Sequence, residues 1–317
     1  MAEAIKKATR ESFGMALAEL GDTHPELVVL DADLAKATQT LLFKQKHPER
    51  FFDCGIAEGN MIGVAAGLAA AGKVPVAATF AMFSAGRAYE QIRNSVGYPH
   101  LNVKVVGTHA GVSVGEDGAS HQCLEDLALM RAVPGMVVLC PADHYETVAA
   151  VKAMIDYQGP VYLRLGRLPV ESVYHNYPDM PFTIGKGNTL RQGGDVALIA
   201  TGLEVYEALQ AAELLAGEGI QATVIDIHTL KPLDAELVTE AARATGAVVT
   251  AEEHSRIGGL GDAVGAALLD AGCAAAFERV AVNDVFGHSG KGMELVDEFG
   301  LRAKDIAAAA KRAIARK

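Results

Sequence analysis

Cysteine is scarce in this sequence: the 317 residues hold only four, Cys54, Cys123, Cys140 and Cys273, far apart and with no C-x-x-C pair. That spacing offers neither a disulfide framework nor a zinc site, and it predicts buried thiols. Long apolar runs are missing too. Half the residues are hydrophobic and 21% are charged, yet no uncharged apolar stretch reaches the roughly 20 residues that span a bilayer. The first residues, MAEAIKKATRESF, lack the apolar core of a signal peptide and instead alternate charge with apolar positions at helical spacing. A soluble, cytoplasmic protein with no membrane association is expected. Surplus positive charge is also absent. A formal net charge of -11 disfavours nonspecific attraction to nucleic acid or anionic lipid and leaves small-molecule chemistry as the expectation.

What the sequence does contain is a repeated strand-helix alternation. LVVLDA, FFDCGI, VPVAATF, VKVVGTH, MVVLCP and VYLRL read as strands, most of them separated by helical stretches. Such alternation predicts an α/β fold whose mainly parallel sheet is flanked by helices, with ligands at the carboxyl ends of the strands. After Glu171 the sequence turns to proline, glycine and polar residues, and the pattern restarts at VALIATG. The predicted organisation is a first domain over 1–170, a linker over 171–188 and a smaller α/β domain over 189–317. In the second domain, ATVIDIH and AVVTAEE read as strands, and an Ala-rich helix closes the chain. The segment GGLGDAVG has the glycine density of a phosphate loop but lacks a lysine and fits close helix packing better.

Three clusters could carry chemistry. Glu58, in DCGIAEGNM, is predicted at a strand-to-helix junction; it can face a ligand crevice or simply place a negative charge at a helix N-terminus. Phe80 and Phe83 stand three apart at the exit of the next strand, as a flat aromatic slot or as core. The segment THAGVSVGEDGASHQ gathers His109, Glu116, Asp117 and His121 on a glycine-rich loop, where the polar groups can bind a ligand or cap turns.

In this order and spacing, GIAEGNM, the F-x-x-F pair and TH-x-G-x-S-V-G-E-D-G-x-S-H resemble the transketolase family. The similarity is strongest over the first 170 residues, read as the pyrimidine-binding domain of a thiamine-diphosphate enzyme. The remainder is similar to the family's C-terminal domain, with VIDIHTLKPLD its clearest piece. The resemblance implies transfer of a two-carbon ketol unit between sugars or sugar phosphates. Glu58 would hydrogen-bond the pyrimidine ring of thiamine diphosphate, Phe80 and Phe83 would flank that ring, and the Asp33-Leu34 segment would lie near the thiazolium. Asp117 and His121 would contact sugar hydroxyls beside the reacting carbons, with His121 also catalytic, and His109 would reach toward the phosphate-bearing end. Arg10 matches a phosphate-binding arginine; a further one aligns with Arg164 or Arg167.

The sequence departs from the family pattern at Ala37, where relatives carry a serine, at Gly59, where they carry glutamine, and at Gly86, where full-length relatives carry tyrosine. It also lacks the G-D-G motif, followed by asparagine, that holds the diphosphate and Mg²⁺ or Ca²⁺. No metal site is therefore expected in this chain. A separate N-terminal subunit is expected to supply it, in a heterotetramer of two plus two. Half of a deoxyxylulose-phosphate synthase, or a 2-oxoacid dehydrogenase beta subunit, fits less well: synthases place arginine where His109 stands, and the beta subunits lack the G-E-D-G-x-S-H loop. A catalytically silent, partner-binding relative is disfavoured by the intact Glu58.

Overall fold

Strand formation follows the buried apolar runs. In the computed structural model, which describes residues 5–317, Leu27–Asp31, Val74–Phe80 and Lys104–Thr108 are buried at every position, as strands covered on both faces must be. They belong to a seven-stranded sheet ordered Phe51–Asp53, Leu27–Asp31, Val74–Phe80, Lys104–Thr108, Val161–Arg164, Val137–Leu139 and Thr229–Lys231. The first six strands run parallel. The chain passes from Leu27–Asp31 to one neighbour and then back across to the other, so the strand order reverses beside Leu27–Asp31. Such a reversal opens a crevice at the carboxyl ends.

A second sheet is ordered Ala276–Val282, Ala247–Ser255, Val196–Ala200, Ala222–Asp226 and Asn188–Arg191, parallel except for the last strand. The two sheets are joined in two ways. Thr229–Lys231, which follows the second sheet's Ala222–Asp226, pairs antiparallel with Val137–Leu139 and closes the edge of the first sheet. One apolar cluster also runs through both, taking Met61, Val105 and Tyr162 from one side and Ile199, Ile225 and Val238 from the other.

The N-terminal helix begins at Thr9 rather than at the chain start. Lys6–Ala8 instead forms a short strand paired with Pro169–Glu171, while residues 1–4 of the expected helix lie outside the described residues. The glycine-rich GGLGDAVG segment is a helix entry filled by the protein itself. Both Glu252 carboxylate oxygens accept from the Leu260 and Gly261 amides, at 2.7 and 2.8 Å. A Cβ on Gly259 would sit 2.0 Å from Glu252 Oε2, so the glycine permits the approach and no phosphate is needed there. Cys123 and Cys140 are buried, Cys54 and Cys273 are partly buried, and all four are free thiols.

Candidate active site

The crevice at the carboxyl ends of the first sheet collects most of the residues singled out from sequence. Phe80 is the last residue of its strand. The chain then enters a widened helical turn, Met82–Arg87, a distortion that recurs at functional sites. This turn brings the Phe83 ring to 5.8 Å from that of Phe80, with 15° between their planes. His109, just past Lys104–Thr108, stacks on Phe80 at 3.9 Å. His121 meets both phenylalanines edge-on, at 6.2 and 5.2 Å. Glu58 opens the helix Glu58–Ala70, is almost fully buried, and accepts from Arg87 Nη1 at 2.8 Å.

His109 has a positive φ of 57° and bonds through Nδ1 to Thr108 Oγ1 at 2.9 Å. Burial, reinforced by the positive charges of Arg10 and Arg167, pushes its pKa down to about 3. The ring is therefore neutral at physiological pH and can act only as a hydrogen-bond donor or acceptor.

The expected phosphate contacts separate sharply. Arg10 donates to the carbonyls of Ala37 and Arg167, at 2.8 and 3.2 Å. Arg167 donates to the Val114 carbonyl and pairs with Glu116 at 2.7 Å. These two cations are thus adjacent to each other and electrostatically sensed by His109. Arg164 does not join them. Its guanidinium is buried between Asp126, with Nε to Oδ2 at 3.0 Å, and the Glu253 carbonyl at 2.7 Å. Tyr162 donates to the same Asp126 at 2.9 Å. Arg164 is the last residue of an all-buried strand, and Arg167 lies three residues beyond it.

Asp33 and Leu34 sit on a loop held by carboxylates. The Asp33 amide donates to Asp53 Oδ1 at 3.1 Å, and the Leu34 amide to Asp31 Oδ1 at 2.6 Å. Asp31 itself is buried, and Thr38 and Thr40 donate to its other oxygen at 2.7 and 2.8 Å. This organising carboxylate was missed from sequence because it reads as the end of an apolar strand.

Asp117 is exposed on the loop that also carries His121, and that loop leans on the second domain. Ser289 Oγ donates to the Glu116 carbonyl at 2.5 Å, and Gln122 Nε2 to the His288 carbonyl at 2.9 Å. Gly115, at φ 84°, would bring a Cβ to 3.2 Å from the Gly290 carbonyl. Among the described residues no group of three or more His, Cys, Asp or Glu is placed to hold a metal ion. Nor is any described helix long and apolar enough to cross a membrane.

A buried carboxyl group thus stands near two aromatic faces, and comparison with known proteins identifies the family. The sequence pattern of the transketolase pyrimidine-binding domain matches residues 5–171, and that of the transketolase C-terminal domain matches 185–306. The chain belongs to the transketolase family. Family membership implies use of thiamine diphosphate, and the chain is a transketolase-like C-terminal section. It is 50% identical, over 96% of its length and 95% of the relative, to a protein provisionally named a transketolase C-terminal section from Methanocaldococcus jannaschii. It is 45% identical, over 97% and 95%, to a 6-deoxy-6-sulfo-D-fructose transketolase subunit of a Clostridium species. A solved structure described as a split gene transketolase, inactive beta4 tetramer, superposes with a TM-score of 0.89 at 51% identity and covers 98% of both chains. Against the full-length human transketolase, 40% identical, the chain spans 48% of the length.

Proposed function

We propose that this chain is the C-terminal subunit of a split transketolase, moving a two-carbon ketol unit from a ketose or ketose-phosphate donor to an aldose or aldose-phosphate acceptor. The observation that carries this reading is the convergence of buried Glu58, the Phe80–Phe83 pair, His109 and His121 on one crevice. Thiamine diphosphate, when bound, supplies the nucleophilic carbon that takes up the two-carbon unit. This chain's own part is to hold and activate it. Glu58 would present its carboxyl group to the pyrimidine ring nitrogen from a site shielded from water, where a charge-assisted hydrogen bond is strong. Phe80 and Phe83 would fix the ring's plane, with aromatic contact contributing about 0.5–1.5 kcal/mol beyond area burial.

Neutral His109 and half-exposed His121 would bond sugar oxygens, and Asp117 would distinguish hydroxyl configurations. Arg10 and Arg167, rather than Arg164, would meet a phosphate or another distal anion. A hard divalent cation needs several oxygen ligands, and we place the Mg²⁺ or Ca²⁺ and diphosphate site on a separate N-terminal subunit, a reading supported by the likeness to a split gene transketolase and by the chain's spanning 48% of the human enzyme. A two-plus-two assembly with that subunit completes the proposal.

The test is to combine the chain with an N-terminal transketolase subunit and screen ketose donors against aldose acceptors. We expect turnover only in the mixture, and Glu58→Gln should assemble normally while abolishing exchange of the cofactor's C2 proton, followed by NMR. Turnover by the chain alone, or unchanged exchange in the variant, would overturn the assignment.

A further inference from the structure

Arg87 was not singled out by the sequence, yet it touches two of the residues assigned to the pyrimidine ring. Its Nη1 donates to Glu58 Oε1 at 2.8 Å, and its guanidinium carbon lies 4.5 Å from the centre of the Phe83 ring. The Glu58 side chain is only 3% exposed, whereas that of Arg87 is 51% exposed, so the guanidinium reaches into the slot from solvent.

A guanidinium and an aminopyrimidine are recognised by the same means. Both are flat and delocalised and stack on aromatic faces; both bond to a carboxyl group, the guanidinium by donating to it and the ring nitrogen by sharing its proton. One face of Phe83 and one Glu58 oxygen cannot serve two such groups together.

We propose that Arg87 is a positioning residue that fills the pyrimidine slot of the uncombined chain, keeps Glu58 aimed across Phe83, and swings into solvent when the cofactor's ring enters. The proposal rests on the assignment of Glu58 and Phe83 to the pyrimidine ring. The exchange is feasible because the half-exposed Arg87 side chain has solvent to move into and the entering ring takes over the buried carboxyl group, while the backbone of the Met82–Arg87 turn can stay in place. The uncombined subunit thus keeps a buried carboxylate paired, and the ring takes over both contacts.

The test uses the purified chain without a partner and the free ring fragment 4-amino-5-hydroxymethyl-2-methylpyrimidine, titrated by calorimetry. Removing a partly exposed ion pair and a cation–π contact from the competing arginine should tighten fragment binding by about tenfold in Arg87→Ala. Arg87→Lys, which restores the charge without the flat group, should bring affinity back toward wild type and melt as wild type, whereas Arg87→Ala, which takes the cation from buried Glu58, should melt lower while staying folded at the titration temperature. Phe83→Ala and Glu58→Gln should each weaken the fragment. If Arg87→Ala binds no tighter than wild type while Phe83→Ala and Glu58→Gln still weaken binding, the slot stands and the role of Arg87 falls. If binding is independent of Glu58 and Phe83, or no variant binds, the slot assignment itself falls and takes the proposal with it.

Discussion

Two arginines three residues apart, Arg164 and Arg167, should fail in opposite ways when truncated. Arg164 is the counter-ion of fully buried Asp126, so Arg164→Ala leaves that carboxylate with only the Tyr162 hydroxyl among the partners described above. Breaking a buried pair in this manner costs about 3–5 kcal/mol. At about 2–4 °C per kcal/mol for a domain of this size class, the melting temperature should fall by about 6–20 °C. Arg167 pairs instead with the exposed Glu116, an arrangement worth about 0–1 kcal/mol, and its loss should leave melting nearly unchanged. Each charge-assisted hydrogen bond to a substrate phosphate contributes about 1.5–3 kcal/mol. Arg167→Ala should therefore raise KM for a phosphorylated sugar by about 10–150-fold and leave KM for the same sugar without phosphate unaltered. Scanning calorimetry of the chain, with steady-state kinetics of the assembled enzyme on the matched pair of sugars, separates the two effects. An Arg164→Ala protein that melts normally but loses phosphate discrimination would refute the reasoning.

Asp226 provides a pH test. Burial pushes its pKa up to about 7, with Tyr174 donating to it at 2.6 Å and Glu146 beside it also raised by burial. The folded chain therefore holds a proton that the unfolded chain releases near pH 4. The associated stability is full below that value, is lost progressively as pH rises through about 7, and is absent above. Asp226→Asn should shrink the fall in melting temperature between pH 5 and pH 8, and an identical pH slope would reject this assignment. In the assembled enzyme, Asp117→Ala should keep cofactor affinity while narrowing the kcat/KM ratio between acceptors that differ in one hydroxyl configuration; an unaltered ratio would remove Asp117 from substrate recognition.

Most of the fold is local and was legible. Buried parallel strands such as Val74–Phe80 announce themselves as apolar runs, and Glu58 stands where a strand gives way to a helix. The strands that went unread are short, half-polar or at edges. Lys6–Ala8 carries two lysines, Asn188–Arg191 lies in the polar stretch that runs from the linker to VALIATG, and Ala276–Val282 is only partly buried over its first four residues. Their conformation is stabilised by partners far away in sequence, and propensity does not report such partners.

The sequence by itself determined the α/β alternation and put Phe80 and Phe83 within one turn of each other, because each depends on residues within one or two elements. Tertiary structure alone decided that Arg164 is held in a buried ion pair while Arg167 pairs with exposed Glu116, since Arg164 ends a buried strand and Arg167 lies three residues beyond it. It alone placed Thr229–Lys231 on the other domain's sheet, leaned the 115–122 loop on Ser289, and set Arg87 across Phe83. These are contacts between segments remote along the chain, fixed by how packed layers meet rather than by the preferences of any single segment.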